Sequence, residues 1–185
     1  MNEFIEPIEC VSPDQTAILF KNKKLDKQFV LIAVNGIHQR IAIFDALAEM
    51  KKVATILYSN RGNKTFVSSF EVNENYQQNG LGRLLFEIAL THADILDITM
   101  LYGDAEPINN IKGISNNENS TFEEEQQAII SIYKKLGCTV NPIDNRFVQK
   151  WKSGEKIKQA SMLVSKVAYM LAEKDGYFKD QTQPY

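Results

Sequence analysis

Hydrophobic positions alternate in short runs at the start of this chain and recur at helical spacing further on. Apolar runs at residues 16–20 and 28–34, split by a lysine-rich turn, predict an antiparallel strand pair. From about residue 37 to 51 the apolar residues fall at helical spacing, which predicts a helix. Residues 53–58 and 65–72 flank a turn that contains Gly62, and they predict a β-hairpin.

Helical spacing dominates the second half of the chain. An amphipathic helix is expected from Leu81 to about residue 94, followed by a strand over residues 96–102 that lies parallel to the strand ending at Val72. Residues 103–120 are polar, rich in Asn and without periodicity, as in a long loop. The later elements are a helix capped by Thr121 and Glu124 and stopped by Gly137, a strand over residues 146–152, and an amphipathic helix over residues 155–174.

The junction between the strand ending at Val72 and the next helix is a candidate anion site. Its loop reads Gln77-Gln78-Asn79-Gly80-Leu81-Gly82-Arg83. Backbone N–H groups at the positive end of a helix bind phosphate oxygens, and two glycines let a diphosphate approach the backbone. A dinucleotide-binding loop also places glycines after a strand, but its third glycine would fall at Leu85, and no run of alternating strands and helices surrounds it.

Two segments in this order resemble the signatures of the GNAT superfamily of N-acetyltransferases. The loop from Gln77 to Arg83 is similar to the acetyl-CoA signature Q/R-x-x-G-x-G/A, and Ile132-Tyr133-Lys134-Lys135-Leu136-Gly137-Cys138 is similar to the aromatic-Tyr-x-K-L-G-F helix end. The resemblance covers about residues 53–150. It implies a single acyltransferase domain over residues 1–185 with an α/β (α+β) fold: a mixed, mostly antiparallel sheet with one splayed parallel pair, flanking helices, and an appended helix at residues 155–174.

The resemblance also implies roles for individual residues around acetyl-CoA as co-substrate. The diphosphate would face the backbone of the loop, while Phe70 and Val72 would pair with the pantetheine arm and the Val72 N–H would polarise the thioester carbonyl. Tyr133 would protonate the departing thiolate. Gln126 stands where the family often has an asparagine that contacts the cofactor. The implied cofactor-binding residues are Phe70, Val72, Gln77, Gln78, Asn79, Gly80, Leu81, Gly82, Arg83 and Gln126.

The general base is the weakest part of the motif. Many family members carry a glutamate six residues before the position of Val72, where this chain has Phe66. Glu71 has the opposite strand parity, so only a β-bulge would turn it toward the same side. Asp104 and Glu106, just past the next strand, are the alternatives.

Composition excludes several other classes of function. The 185 residues carry a net charge of -2, which gives no basic footprint for nucleic acid. No apolar run is long enough to span a bilayer, and the N-terminus has no export signal, so a cytoplasmic protein with free cysteines is expected. His38 and His92 lack partners at ligand spacing, and no metal is expected.

Two functions from different classes follow from these patterns. The first is acetyl transfer from acetyl-CoA to a primary amine of a small molecule or peptide in a direct ternary complex. The second is a GNAT-like module that binds acyl-CoA with little catalysis, because the expected carboxylate is missing at Phe66. Acidic residues at Asp104, Glu106 and Glu118 favour a cationic acceptor. The apolar stripe of the helix at residues 155–174 is expected to cover its own domain or a second copy, and self-association of GNAT relatives favours a homodimer.

Overall fold

The computed structural model describes residues 5–12, 16–36, 38–106 and 119–175. Within these residues nine strands form one sheet, in the spatial order β1-β2-β3-β4-β5-β6-β7-β9-β8. Strands β1 to β6 form an antiparallel meander, β6 and β7 are parallel, and β7, β9 and β8 are again antiparallel. The strands are β1 (Ile5–Ser12), β2 (Thr16–Asn22), β3 (Lys27–Val34), β4 (Gln39–Asp45), β5 (Lys51–Arg61), β6 (Lys64–Val72), β7 (Met100–Asp104), β8 (Thr139–Val140) and β9 (Arg146–Lys150).

Four α-helices lie on one face of this sheet, which we call the helix face. They are α1 (Leu81–Ile95), α2 (Phe122–Lys135), α3 (Glu155–Gln159) and α4 (Met162–Lys174). On the helix face Tyr58 of β5 contacts His92 of α1, and Phe70 of β6 contacts Phe86 of α1 and Tyr133 of α2. Within the described residues no α-helix packs on the other side, which we call the open face. The predicted α/β architecture with one parallel strand pair is confirmed.

Most predicted elements are present. β2 and β3 form the predicted antiparallel pair, β5 and β6 form the predicted hairpin, and β7 lies parallel to β6. Thr121 and Glu124 make a reciprocal capping box at α2, and Gly137 follows α2 at φ 91°. Of the predicted loop at 103–120, residues 103 and 104 belong to β7, and residues 107–118, with Glu118, lie outside the described part of the chain.

The helix predicted over residues 37–51 was wrong. Residues Gln39–Asp45 form β4, and residues 46–50 form a turn; Ile37 is not among the described residues. Ile41 and Ile43, two positions apart, are both fully buried on the helix face, as the period of a strand requires, whereas the spacing of Ile41, Phe44 and Leu47 had indicated a helix. The buried carboxylate of Asp45 accepts the N–H groups of Leu47 and Ala48 and so turns the chain back into β5.

The single helix predicted over residues 155–174 is two helices. Ala160 is extended (φ -67°, ψ 138°), and Ser161 caps α4 by accepting the N–H of Val164. The apolar stripe of α4 is buried in its own chain, against α1 and strands β2 and β3. That burial removes the reason for expecting a homodimer through this helix.

A largely buried polar network fastens the end of α4 to the rest of the domain. The Tyr58 hydroxyl lies 2.8 Å from Nδ1 of His92, and the other ring nitrogen of His92 lies 2.8 Å from Asp175. The side-chain amide of Asn35 donates to the carbonyl of Leu171 and to Asp175. The phenol of Tyr58 and both ring nitrogens of His92 therefore have partners, which is the condition under which buried polar groups stabilise a fold.

The described helices are all too short or too polar to cross a lipid bilayer.

Replacing Leu171 by alanine tests whether α4 belongs to the core of its own domain. Leu171 is fully buried, so Leu171→Ala should lower the free energy of unfolding by about 2–5 kcal/mol through lost transfer energy and a residual cavity. Met162→Ala in the same helix removes a side chain that is 83% exposed and should change it by less than about 0.5 kcal/mol. Urea titrations measure both; equal losses would contradict the packing of α4.

Candidate functional site

Strands β6 and β7 separate after a short parallel contact. They pair only at Thr65–Leu101, Phe66–Tyr102 and Val67–Gly103, while β6 continues to Val72. The β5 partner of β6 shifts register between Leu57 and Tyr58, so Ser68 is an extra, bulged residue on β6. The bulge and the end of the parallel pairing coincide, and a wedge-shaped opening, which we call the splay, begins there.

Backbone polar groups of β6 point into the splay. Val72 is opposite Ala54 on β5, and the N–H of Asn73 donates to the carbonyl of Val53 at 2.7 Å. This is the pattern of an antiparallel pair whose two residues do not hydrogen-bond to each other, so the N–H and C=O of Val72 point away from β5. Phe70, two residues earlier in the same register, has the same orientation.

The N-terminus of α1 lacks a cap. Its N-cap residue Gly80 supplies no side chain, and the N–H groups of Leu81, Gly82 and Arg83 have no acceptor among the described residues. The first bond of the helix runs from Leu84 to the Gly80 carbonyl at 3.0 Å.

The N-termini of the other three helices carry an acceptor from this chain. Thr121 and Ser161 cap α2 and α4. At α3 the Asp94 carboxylate accepts the N–H groups of Gly154, Lys156 and Ile157 at 2.8–3.0 Å. This carboxylate shows how an anion is held at a helix N-terminus of this protein. Because the other described helices are capped in this way, the N-terminus of α1 is the one that can accept an external anion.

The β2–β3 hairpin holds the loop that precedes α1. The buried Asn22 amide donates to the carbonyl of Asn79, and Lys24 donates to the carbonyl of Gln78, both at 2.7 Å. In a trans peptide the carbonyl and the following N–H point in opposite directions. These two bonds therefore fix the direction of the N–H groups of Asn79 and Gly80. The hairpin compensates for local backbone strain as well, since Gln78 sits at φ 63°.

The remaining loop residues are placed as follows. The Gln77 side chain donates to the Val72 carbonyl at 2.9 Å, which links the loop to the splay. Leu81 is fully buried, so only its backbone can meet a ligand. A Cβ on Gly82 would lie 3.2 Å from both Phe70 and Val72, so glycine here lets α1 approach β6. Arg83 donates to the carbonyl of Lys135 at the end of α2.

Tyr133 lies beside the splay on the helix face. Its ring stacks on Phe147 at 3.8 Å and lies 6.2 Å from Phe70. Its hydroxyl has no hydrogen-bond partner among the described residues. Burial, with smaller contributions from Cys138 and Asp104, raises the pKa of Tyr133 far above its ordinary value of 10. The phenol is therefore neutral and available as a donor at every physiological pH.

Gln126, on the same helix as Tyr133, is buried and donates its amide to the carbonyl of Ala105, just after β7. This bond ties the first half of α2 to the strand on the other side of the splay. The predicted contact of Gln126 with a cofactor stays a prediction.

The bulge at Ser68 decides the orientation of Glu71. Phe66 lies opposite Ser59 and Glu71 lies opposite Thr55. Ser59 and Thr55 are four residues apart on β5, so their side chains point to the same face of the sheet. The side chains of Phe66 and Glu71 are therefore on the open face, across β6 from Tyr133. Glu71 accepts a hydrogen bond from the Ser69 hydroxyl at 3.3 Å. Asp104, at the end of β7, lies 3.8 Å from Arg146, and Glu106 is exposed.

A second support of the loop was missed from the sequence. The buried Asp45 carboxylate binds Lys27 and the hydroxyl of Tyr76, both at 2.9 Å, and the Tyr76 ring packs edge-on against Phe29. Tyr76 immediately precedes the loop. Asn22, Lys24 and Asp45 carry no local motif, and Asn22 is 57 residues from its partner, so nothing in the sequence marks them.

Comparisons with known proteins give structural matches only. No family model matches this sequence, and no curated protein matches it. Three matching solved structures are the PaiA N-acetyltransferase from Thermoplasma acidophilum in complex with coenzyme A, an acetyltransferase of the GNAT family from Staphylococcus aureus Mu50, and a cAMP-binding acyltransferase from Mycobacterium smegmatis.

The three likenesses differ in extent. The first has 16% identity over 62% of this chain and 61% of that one, with a TM-score of 0.45. The second has 13% identity over 62% and 68%, with a TM-score of 0.46. The Mycobacterium protein has 13% identity over 92% of this chain and 56% of its own length, with a TM-score of 0.52. This chain thus spans about three fifths of the first structure, and at these identities the likeness is one of fold.

The Asp45 network gives a testable pH dependence of stability. Burial raises the pKa of this carboxyl, but hydrogen bonds from Lys27, Tyr76 and Leu47 outweigh burial and hold the pKa below its ordinary value of 3.8. A lowered folded-state pKa contributes stability that is present above the unfolded pKa and is lost as the pH falls through the folded pKa. Asp45→Asn should therefore lower the free energy of unfolding by about 1–3 kcal/mol at neutral pH and by progressively less below about pH 4.

The measurement is urea unfolding of both proteins across this pH range. Asp26→Asn is the matched control, because Asp26 also pairs with a lysine, Lys21, but does so in solvent. It should change stability much less. A pH-independent gap between the parent and Asp45→Asn would refute the assigned role of the carboxylate.

Proposed function

Because the chain has the fold of the GNAT superfamily, we propose that it is an N-acetyltransferase that moves an acetyl group from acetyl-CoA to a primary amine. The observation that carries the proposal is the uncapped N-terminus of α1 beside the unpaired edge of β6. An anion site next to backbone groups that point away from β5 suits a ligand with a diphosphate at one end and amides in its arm.

The residues present fit coenzyme A. The N–H groups of Leu81, Gly82 and Arg83 would bind the diphosphate, and Asn22 and Lys24 hold the loop that leads to them. The exposed polar backbone of Phe70 and Val72 would pair with the pantetheine amides as an added strand does. The arm would then run along β6 toward the bulge, between the open face and Tyr133.

The transfer would be direct. The amine nitrogen attacks the thioester carbonyl carbon, a C–N bond forms, the C–S bond breaks, and the sulfur receives a proton. The Val72 N–H is oriented to polarise the carbonyl oxygen. The structure offers no activated nucleophile for an acyl-enzyme route through Cys138, because burial raises the pKa of this thiol to about 12.

Tyr133 would donate its hydroxyl hydrogen to the departing sulfur. A thiol ordinarily has a pKa of about 8.5 and a phenol of about 10, so the proton transfer is uphill in water. Burial raises the pKa of Tyr133, and a thiolate that formed in the same apolar surroundings would be destabilised by the same effect. Glu71 would accept the amine's proton on the open face, directly or through water, with Asp104 as the alternative.

The alternative of an acyl-CoA-binding module without catalysis has one observation in its favour. Phe66, where the family often has a glutamate, packs against Tyr102 at 5.2 Å and lies under the guanidinium of Arg61 at 4.2 Å. Release of free thiol from acetyl-CoA with a panel of amines separates the two functions: amine-dependent release supports catalysis, and tight binding without release supports the module.

Charge at residue 80 tests the diphosphate site. Gly80 is at φ 83°, so any side chain there adds strain, and Gly80→Asn and Gly80→Asp add nearly the same strain and volume. Only the aspartate places a negative charge at the helix N-terminus. Gly80→Asp should therefore bind coenzyme A at least about tenfold more weakly than Gly80→Asn, with a gap that narrows at high salt. Calorimetry measures both affinities. Equal affinities would contradict a diphosphate site at the N-terminus of α1.

Removing one oxygen tests the role of Tyr133. Tyr133→Phe keeps the stacking on Phe147 but has no hydroxyl donor. Its kcat should fall by about 10²-fold while its affinity for coenzyme A stays within about twofold. Because burial keeps the phenol neutral, the parent's pH–rate profile should show no loss from ionisation of Tyr133 below about pH 10. An unchanged kcat in the variant would refute the role of Tyr133 as a proton donor and leave it only a role in packing.

A further inference from the structure

A broad basin of about 730 Å³ lies on the open face, over β7 and β9. Tyr102, Met100 and Val148 form its apolar part, because these three residues share a face in the register of the two strands. Lys64, Arg146 and Lys150 line it as well. Its described lining contains three cations and no acidic side chain.

The basin begins where the splay begins. Tyr102 lies opposite Phe66, one residue before the last parallel pair of β6 and β7, and Arg146 lies opposite Asp104 at the end of β7. Lys150 lies opposite Met100 at the other end of the same strands. At about 3.3 Å per residue, the basin thus extends roughly 13 Å away from the splay along β9.

Charge is distributed unevenly along this axis. Glu71 and Asp104 are at the splay end, where the amine would react. The two cations near that end are engaged, since Arg146 is 3.8 Å from Asp104 and Arg61 lies over the ring of Phe66. At the far end neither Lys64 nor Lys150 has an ion-pair partner among the described residues. Both side chains are exposed cations, and their positive field would attract an anionic group of a ligand that lies on the apolar part of the basin.

We propose that the acceptor is an amine that carries an anionic group, a carboxylate or a phosphate, at its other end. Its amine faces Glu71 and Asp104 at the splay, its apolar middle lies on Tyr102 and Val148, and its anionic group lies against Lys64 and Lys150. This inference rests on the proposed acetyl transfer and deepens it. It also reverses the preference for a cationic acceptor that the acidic residues of the sequence suggested.

Three acceptors of equal length isolate the charge at the far end: 6-aminohexanoate, its neutral amide, and hexane-1,6-diamine. Each offers the same primary amine, so thiol release from acetyl-CoA gives kcat/KM values that differ through the second group alone. The expected order is carboxylate above amide above diamine, with about tenfold or more between the first and the last, and a smaller ratio at high ionic strength. The phosphate ester of 6-aminohexanol shows which anion is preferred. Equal rates or the reverse order would overturn the proposal.

Two variants locate the effect. Lys64→Gln with Lys150→Gln should lower kcat/KM for 6-aminohexanoate by about three- to tenfold. Lys166→Gln is the matched control, because this exposed lysine is on α4, on the helix face. If the double variant discriminated among the three acceptors as the parent does, Lys64 and Lys150 would not bind the anionic group, and the proposal would be refuted.

A binding measurement separates this inference from the proposed function. Calorimetry of 6-aminohexanoate with the coenzyme A-bound protein, parent and double variant, requires no turnover. Lysine-dependent binding without thiol release from any amine would support the anion site and refute acetyl transfer. Thiol release at equal rates with all three acceptors, and no lysine-dependent binding, would support acetyl transfer and refute the anion site.

Discussion

The end of the hydrogen bonding between β6 and β7, beyond Val67 and Gly103, is the constraint on which the site depends. A sheet whose strands stayed paired would leave no polar backbone for a ligand, since each N–H and C=O would have its partner. Here the bulge at Ser68 turns β6 away at the point where pairing stops and increases its local twist. Because of the same bulge, Glu71 lies on the open face and Phe70 on the helix face, the reverse of strict alternation from Phe66. One extra residue therefore opens the splay and distributes the reactive side chains to its two sides.

An opening of this kind needs support, and aromatic side chains on the helix face provide it. Phe86 and Tyr133 each contact Phe70 and Phe147 around it, and a Cβ on Gly103 would lie 2.5 Å from the Phe147 ring. Glycine at 103 is what lets that ring lie flat against β7. On the other side of the site, the loop before α1 is fastened to the β2–β3 hairpin through Asn22, Lys24 and Tyr76. Stability and function are thus coupled, because the contacts that keep Gln78 in its strained conformation are contacts of the fold.

The sequence was sufficient for the elements whose signals are local. The glycine loop, the capping box at Thr121 and the αL stop at Gly137 each depend on a few neighbouring residues, and the structure has all three. Local signals failed where two periods fit the same residues. Ile41, Phe44 and Leu47 recur at helical spacing while Ile41 and Ile43 alternate as in a strand, and the pairing of Ile41 and Ile43 with Ile56 and Ala54 of β5 decides for the strand. The break between α3 and α4 at Ala160 was likewise hidden, because Ser161 can cap a helix or continue one. The roles of Asn22 and Asp45 could not be predicted from the sequence, since their partners come close only after the chain has folded.

The charges on the open face explain why the acceptor is harder to predict from the sequence than the cofactor. A diphosphate is bound by backbone groups, so a short pattern of glycines after a strand reports it. An acceptor is bound by side chains that come from different strands, as with Lys64 of β6 and Arg146 and Lys150 of β9, and these strands are far apart in the chain. A net charge of -2 for the whole chain says nothing about such a group, because the potential within a basin depends on charges within about 10 Å. Acidic residues counted along the loop do not report the field in the basin for the same reason: Asp104 is next to Arg146, and this pairing across β7 and β9 reduces its field there. The identity of an acceptor is therefore a property of strand register, and the bulge that sets the register of β6 also determines which side chains the acceptor meets.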